Sequence, residues 1–284
     1  MTVRAIAERH LLLDQPLPAL PSGADYLLRA LSDESMEFAD LAGAIEKFPS
    51  IAFRVLAVAN SVWSSPVSQI ARLDQACARL GFKVVRSIAI AVAVASPFDS
   101  RLCPGFEAEV YWTSAMLTAR AAEMLAGEMN ADASHDPGVA STAGILSNLG
   151  LLLLATRMPK QANVAFEQAR ETDRGVLWAT REHCGLGYDE AGILLLEAWN
   201  LPALLSQMLR QHYESAREEP GCACCAPLGV AAYFESALRH DKEAAPEDVA
   251  AACQRADVHS LRVVYETLAK EHDRVRDLAV SLGL

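Results

Sequence analysis

The chain has no excess of positive charge. Its 25 Lys and Arg are outnumbered by 36 Asp and Glu, for a formal net charge of −11 and a pI of about 5.1. Phosphate backbones are held by clustered Lys and Arg. No basic stripe is present, and Lys83 and Arg86 form only a local pair, so direct nucleic-acid binding is not expected. Aromatic residues make up only 6%, β-branched runs are few, and no segment alternates apolar and polar residues as a half-buried strand does. No low-complexity tract and no fixed-period repeat occurs, which argues against a solenoid. Met1 to His10 carries Arg4, Glu8 and Arg9 and lacks the apolar core and small-residue site of a secretory signal. The seven cysteines, Cys77, Cys103, Cys184, Cys222, Cys224, Cys225 and Cys253, are odd in number and scattered, which does not read as a disulfide framework. Reduced thiols in a cytoplasmic protein are the simpler expectation.

What is present points to helices. Hydrophobic residues make up 52% and charged residues 21% of 284, enough for a substantial core. Ala and Leu abound, and both favour helix. After the proline-rich Leu17–Pro21, helical spacing predicts helices over Gly23–Leu31, Ser35–Ile45 and one starting at Pro49 with Ile51, Val55, Leu56 and Ala59 buried. Ser68–Leu80 follows, closed by Gly81, then the apolar Phe82–Ala95. Tyr111–Met129, Val139–Thr156, Lys160–Thr172, Gly175–Cys184, Tyr188–Trp199 and Pro202–Tyr213 form a second set. Gly138–Thr156 is uncharged, yet Ser141, Thr142, Ser147, Asn148 and two inner glycines favour a buried helix over a lipid-facing one, so no membrane insertion is expected. Residues 1–16 read as a lead, 17–213 as the main domain and 214–227 as a linker. Residues 228–284 read as a C-terminal helical extension over Leu228–His240 and Pro246–Leu282, with a break near His259.

Arg54-Val55-Leu56-Ala57-Val58-Ala59-Asn60-Ser61 resembles the R-x-L-x-x-A-N-S signature of HDOD domains, the HD-related output domains of bacterial signalling proteins. Ile70–Ala76, Leu80-Gly81-Phe82, Arg86-Ser87-Ile88, Trp112, Gly144-Ile145-Leu146, Gly150, Gly192 and Glu197–Pro202 with Trp199 follow in the family's order. The resemblance implies an all-α fold, with an N-terminal helical subdomain packed on a degenerate HD-type bundle. It also implies a regulatory, signal-transduction role of the kind found beside response-regulator receiver domains.

The family's metal positions fall on Ser114, Ser147-Asn148, Gly187-Tyr188 with Asp189 one step on, and Gln211-His212. Neutral Ser and Asn are poor substitutes for imidazole and carboxylate, and a divalent site needs several converging ligands. No catalytic residue, metal or cofactor is therefore expected. Ser114, Ser147, Asn148, Tyr188 and His212 line either a small-ligand pocket or a collapsed polar cluster whose members bond to one another or to backbone. The expected function is non-catalytic regulation through contact with other signalling proteins. The alternative is a nucleotide or small-ligand sensor in the degenerate pocket, and behind it a metal-dependent phosphohydrolase with an unusual ligand set.

The remaining motifs have plainer readings. Cys222-x-Cys224-Cys225 has neighbouring thiols but no second Cys pair or His pair at zinc spacing, so free loop thiols outweigh a metal or redox site. Gly185-Leu186-Gly187 lacks a phosphate-loop pattern and ends a helix. Ser61, Ser64 and Ser65 have no nucleophile elbow. Trp63 anchors packing or a partner. Arg54 and Asn60 are fold-defining rather than catalytic.

Overall fold

A computed structural model of the chain describes residues 16–20, 37–60, 69–128, 136–172, 175–215, 227–240, 246 and 257–282. The helix expected over Gly23–Leu31, and Ser61, Trp63, Ser64, Ser65, Cys222, Cys224, Cys225 and Cys253, lie outside these residues. The described residues form thirteen helices and no strand, as the apolar spacing predicts.

The N-terminal set is α1 (Phe38–Glu46), α2 (Pro49–Ala59), α3 (Leu73–Leu80) and α4 (Phe82–Ala95). Pro49 opens α2 at its first turn, where a missing N–H costs nothing. Ile51, Val55, Val58 and Ala59 form its buried stripe. Asn60 ends α2, and it does so with its side chain rather than with a left-handed backbone, since its φ is −102°. Nδ2 donates to Leu56 O at 2.8 Å and to Ile70 O at 2.7 Å, while Oδ1 accepts from Ile70 N at 2.7 Å. This staple holds the chain at Ile70 in a non-helical path, so α3 starts at Leu73 instead of the expected Ser68. Gly81, at φ +83°, separates α3 from α4 in a conformation that disfavours any side chain.

Asn60→Ala removes three hydrogen bonds at once and leaves both backbone groups of half-buried Ile70 without that partner. The expected loss is about 2 kcal/mol, read from the midpoint of urea unfolding. An unchanged midpoint would mean that the staple contributes nothing.

Helix α4 is buried along nearly its whole length, from Val85 through Val94. It packs against α1, α2 and α3 and also against the next two helices, α5 (Ala108–Glu128) and α6 (Pro137–Leu146). It therefore joins the N-terminal set to the main bundle. Asp136 caps α6, with Oδ1 accepting from Val139 N at 2.8 Å, and Pro137 follows at the first helical position.

The expected single helix over Val139–Thr156 is two helices, α6 and α7 (Leu149–Arg157). Ser147 Oγ turns back to donate to Gly144 O at 2.8 Å, and Asn148 takes φ −111°, ψ 13° as it opens α7. Serine and asparagine both offer the backbone such an alternative to helix. The stretch Pro137–Arg157 is long and apolar enough to cross a membrane, but 83% of its most apolar window is buried inside the fold.

The remaining helices are α8 (Pro159–Glu171), α9 (Val176–Cys184), α10 (Tyr188–Trp199), α11 (Ala203–Ser215), α12 (Pro227–Arg239) and α13 (Val258–Leu282). Helix α7 packs on α10, α8 on α9, and α11 on α6. The break expected near His259 is a helix start: Asp257 Oδ1 accepts from Ser260 N at 3.0 Å, and α13 then runs unbroken. Helices α12 and α13 both lie along α5, so residues beyond the linker share the central core. Trp199 Nε1 donates to Pro18 O at 2.7 Å and Arg157 Nη2 donates to Pro16 O. Together they strap the start of the described chain across α7 and α10.

Candidate functional site

The five pocket residues named from the sequence sit on three helices and one turn junction. Ser114 is buried on α5, Ser147 is buried between α6 and α7, and His212 is buried on α11. Asn148 and Tyr188, the latter at the first turn of α10, are half-buried. Two glycines create this arrangement. A Cβ on Gly144 would lie 2.4 Å from Ala119 Cα on α5, and one on Gly150 would lie 1.8 Å from Tyr188 O on α10. Only hydrogen fits at either crossing.

The centre of the site is a residue that the sequence reading did not single out. Tyr213 is fully buried, and its hydroxyl donates to Leu146 O at 3.4 Å, beside the Ser147-Asn148 turn. It lies against Gly192 so closely that a Cβ there would come within 2.4 Å of the hydroxyl. Tyr188 meets it edge-on with ring centroids 6.4 Å apart, and the His212 ring lies 5.5 Å away. Burial pushes the Tyr213 phenol well above its ordinary range, and the charge of the buried Asp189 carboxylate adds to it. No local motif marks Tyr213, because its partner Gly192 lies a helix away in sequence.

Asp189, the carboxylate nearest the family's metal positions, is fully buried and bonded to Arg181 Nη2 of α9 at 2.8 Å. Ser147 Oγ is spent on Gly144 O. On α5, the Tyr111 hydroxyl and Thr113 Oγ1 are buried without a hydrogen-bond partner among the described residues. Tyr111 also packs edge-on against Trp112 at 4.8 Å. The arrangement offers phenols, one imidazole and one carboxylate already matched to a guanidinium.

Burial lowers the His212 pKa to about 4, below its ordinary value, because an imidazolium loses its hydration there. The native state therefore keeps His212 neutral while the unfolded chain takes up a proton near pH 6.5. Stability from this group is complete above pH 6.5 and is lost as the pH falls towards 4, by about 3 kcal/mol in all. Urea unfolding between pH 7 and 4 should show that slope, and His212→Phe should flatten it. A slope retained in His212→Phe would place its origin elsewhere.

A divalent metal does not fit these residues. Among the described residues no three His, Cys, Asp or Glu side chains converge as ligands. The Tyr213 ring packs on Gly192 with its hydroxyl bonded to Leu146 O, beside Ser147, and Asp189 is held by Arg181.

The HDOD domain model matches residues 17–215, which is most of the chain. The chain belongs to the HDOD domain family. No curated protein matches it. The fold of this HDOD protein is shared with several solved structures. A candidate signal transduction protein of Marinobacter aquaeolei VT8 is 20% identical with a TM-score of 0.76, covering 99% of this chain and 67% of that one. An HDOD domain protein of unknown function from Geobacter sulfurreducens is 16% identical with a TM-score of 0.69, covering 98% of both. A candidate phosphohydrolase of Shewanella amazonensis SB2B is 22% identical with a TM-score of 0.67, covering 97% of this chain and 98% of that one.

The HDOD match gives the signature residues a physical reading. Trp112 and Trp199 are buried core residues. Gly150 and Gly192 permit close approach, Gly81 supplies a positive φ, and Asn60 staples Ile70. Arg54 is half-buried on α2. Trp112, Trp199, Gly150, Gly192, Gly81 and Asn60 thus act in packing or chain direction.

Proposed function

We propose that this HDOD protein is a non-catalytic regulatory module of bacterial signal transduction that acts in the cytoplasm by contact with other signalling proteins. The family membership supports the signalling setting. The observation that carries the non-catalytic reading is the Tyr213 plug, seated on Gly192 and bonded to Leu146 O, with Asp189 neutralised by Arg181. Metal-assisted hydrolysis needs an open coordination position and several anionic or imidazole donors, and these groups supply neither. Phe53 on α2 is 68% exposed and Leu102, before α5, is 75% exposed. Isolated exposed apolar residues are ordinary, so these two are where contact mapping begins and not an argument for it.

The test is elemental analysis of untagged protein after exposure to manganese, iron, zinc and magnesium, paired with hydrolysis assays on phosphodiesters and cyclic dinucleotides. The expected result is less than stoichiometric metal and no turnover above buffer. Stoichiometric metal together with turnover that Asp189→Asn abolishes would overturn the reading.

A second reading, a small-ligand sensor, rests on the buried and unpartnered Tyr111 hydroxyl and Thr113 Oγ1, which a polar ligand would satisfy. A ligand that binds only the native state raises the unfolding temperature. A nucleotide that raises it in the wild type but not in Tyr111→Phe would favour the sensor over a pure contact module.

A further inference from the structure

Away from the plug, one carboxylate has more partners than it needs. Glu123 on α5 has a side chain only 8% exposed. Its Oε1 is 3.2 Å from Arg86 Nη2 and 3.3 Å from Lys83 Nζ, both on α4. Its Oε2 is 3.5 Å from Arg120 Nη1, one turn back on α5. The same Arg120 reaches in the other direction, with Nε 3.3 Å from Glu271 Oε2 on α13. Three helices from the two ends of the chain meet at this node.

Both Arg120 contacts are long for charged hydrogen bonds, which close to about 2.7–2.9 Å when unconstrained. The guanidinium is thus divided between two carboxylates and would gain by closing on either. Glu271 lies in the middle of α13, between two buried apolar groups, Leu261, Val264 and Leu268 on one side and Leu278, Ala279 and Leu282 on the other. Withdrawing Glu271 releases Arg120 to close on Glu123 Oε2. A carboxylate drawn that way loosens its Oε1 contacts to Lys83 and Arg86. Arg86 has little freedom to adjust, because its side chain is only 3% exposed and its Nε already lacks a hydrogen-bond partner among the described residues.

We propose that Glu123 is a shared carboxylate through which the position of the C-terminal helix α13 is read at α4, and so at the N-terminal helices. Whatever seats on α13 and draws Glu271 away resets the α4–α5 contact without touching the plugged pocket. The inference stands apart from the proposed lack of catalysis.

The test is a double-mutant cycle in the full chain with Arg86→Met and Glu271→Gln. Their ion pairs join these two residues through Glu123 and Arg120, while α13 also packs on α2 and α2 on α4, a route the Glu266→Gln control reads separately; unconnected sites act independently on stability. The unfolding constant of the double variant should differ by about threefold or more from the product of the single effects. A product matched within about twofold would overturn the coupling. Glu266→Gln, on the same helix and exposed, should combine multiplicatively with Arg86→Met; coupling as large as that of Glu271 would overturn the node as its cause. If Arg86→Met does not fold, Lys83→Met takes its place, since that side chain is 63% exposed. Amide exchange gives an independent readout. In Glu271→Gln the α4 amides should exchange about threefold faster, with α9 unchanged. Unaltered α4 exchange would also sink the proposal.

Discussion

Gly150→Ala should cost about 3 kcal/mol or more, or prevent folding altogether. The added methyl would lie 1.8 Å from Tyr188 O, 2.7 Å from Tyr188 C and 2.8 Å from Gly192 N. All three are backbone atoms, so no rotamer change relieves the clash, and α7 and α10 must separate. That separation would also disturb Tyr188, Gly192 and the Tyr213 plug between them. Gly127→Ala is the control. Gly127 lies on α5 with open space where its Cβ would be, so the methyl should be neutral or stabilise by up to about 1 kcal/mol through helix propensity. Chemical denaturation of both variants against the wild type checks the pair. A Gly150→Ala protein as stable as the wild type would show that α7 and α10 do not cross so closely.

Glu123→Ala should destabilise by about 3–5 kcal/mol, because it strands a buried charge. Lys83 is 63% exposed and Arg120 31% exposed, so both can turn to water. Arg86, only 3% exposed, cannot. The cost is therefore that of one uncompensated guanidinium rather than the sum of three ion pairs. Replacing both partners should recover most of the loss, since apolar side chains of similar size often match or exceed a buried pair in stability. Denaturant unfolding of Glu123→Ala beside the double variant Arg86→Met/Glu123→Leu makes the comparison. If the double variant is as unstable as the single one, the loss comes from packing and not from charge.

Most helices were legible in the amino-acid order because their buried faces recur at helical spacing and their ends carry local signals. Pro49 opens α2, Gly185 closes α9 with φ +74°, and the apolar run of α4 is buried as expected. The errors fall where a polar side chain offers the backbone another partner. Ile70–Arg72 fall inside the helix expected over Ser68–Leu80, but Asn60 holds Ile70 by both backbone groups, and that bond spans ten residues. Val139–Thr156 reads as one helix because only the small polar residues Ser141, Thr142, Ser147 and Asn148 interrupt its apolar run, and a helix could have carried them.

The candidate site divides in the same way. That Ser114, Ser147 and Asn148 are neutral side chains is a matter of residue type, and the sequence by itself determined it, along with the all-helical class and the acidic net charge. What surrounds them was decided only by tertiary structure. Tyr213 becomes the plug because Gly192 has no side chain to exclude it, and Asp189 is neutralised because α9 brings Arg181 to it. Glu123 is a node only because α4 and α13 converge on α5. Helix type follows from local spacing and propensity, whereas these contacts depend on which helices approach each other and how closely. That is set by the shapes of surfaces far apart in the chain.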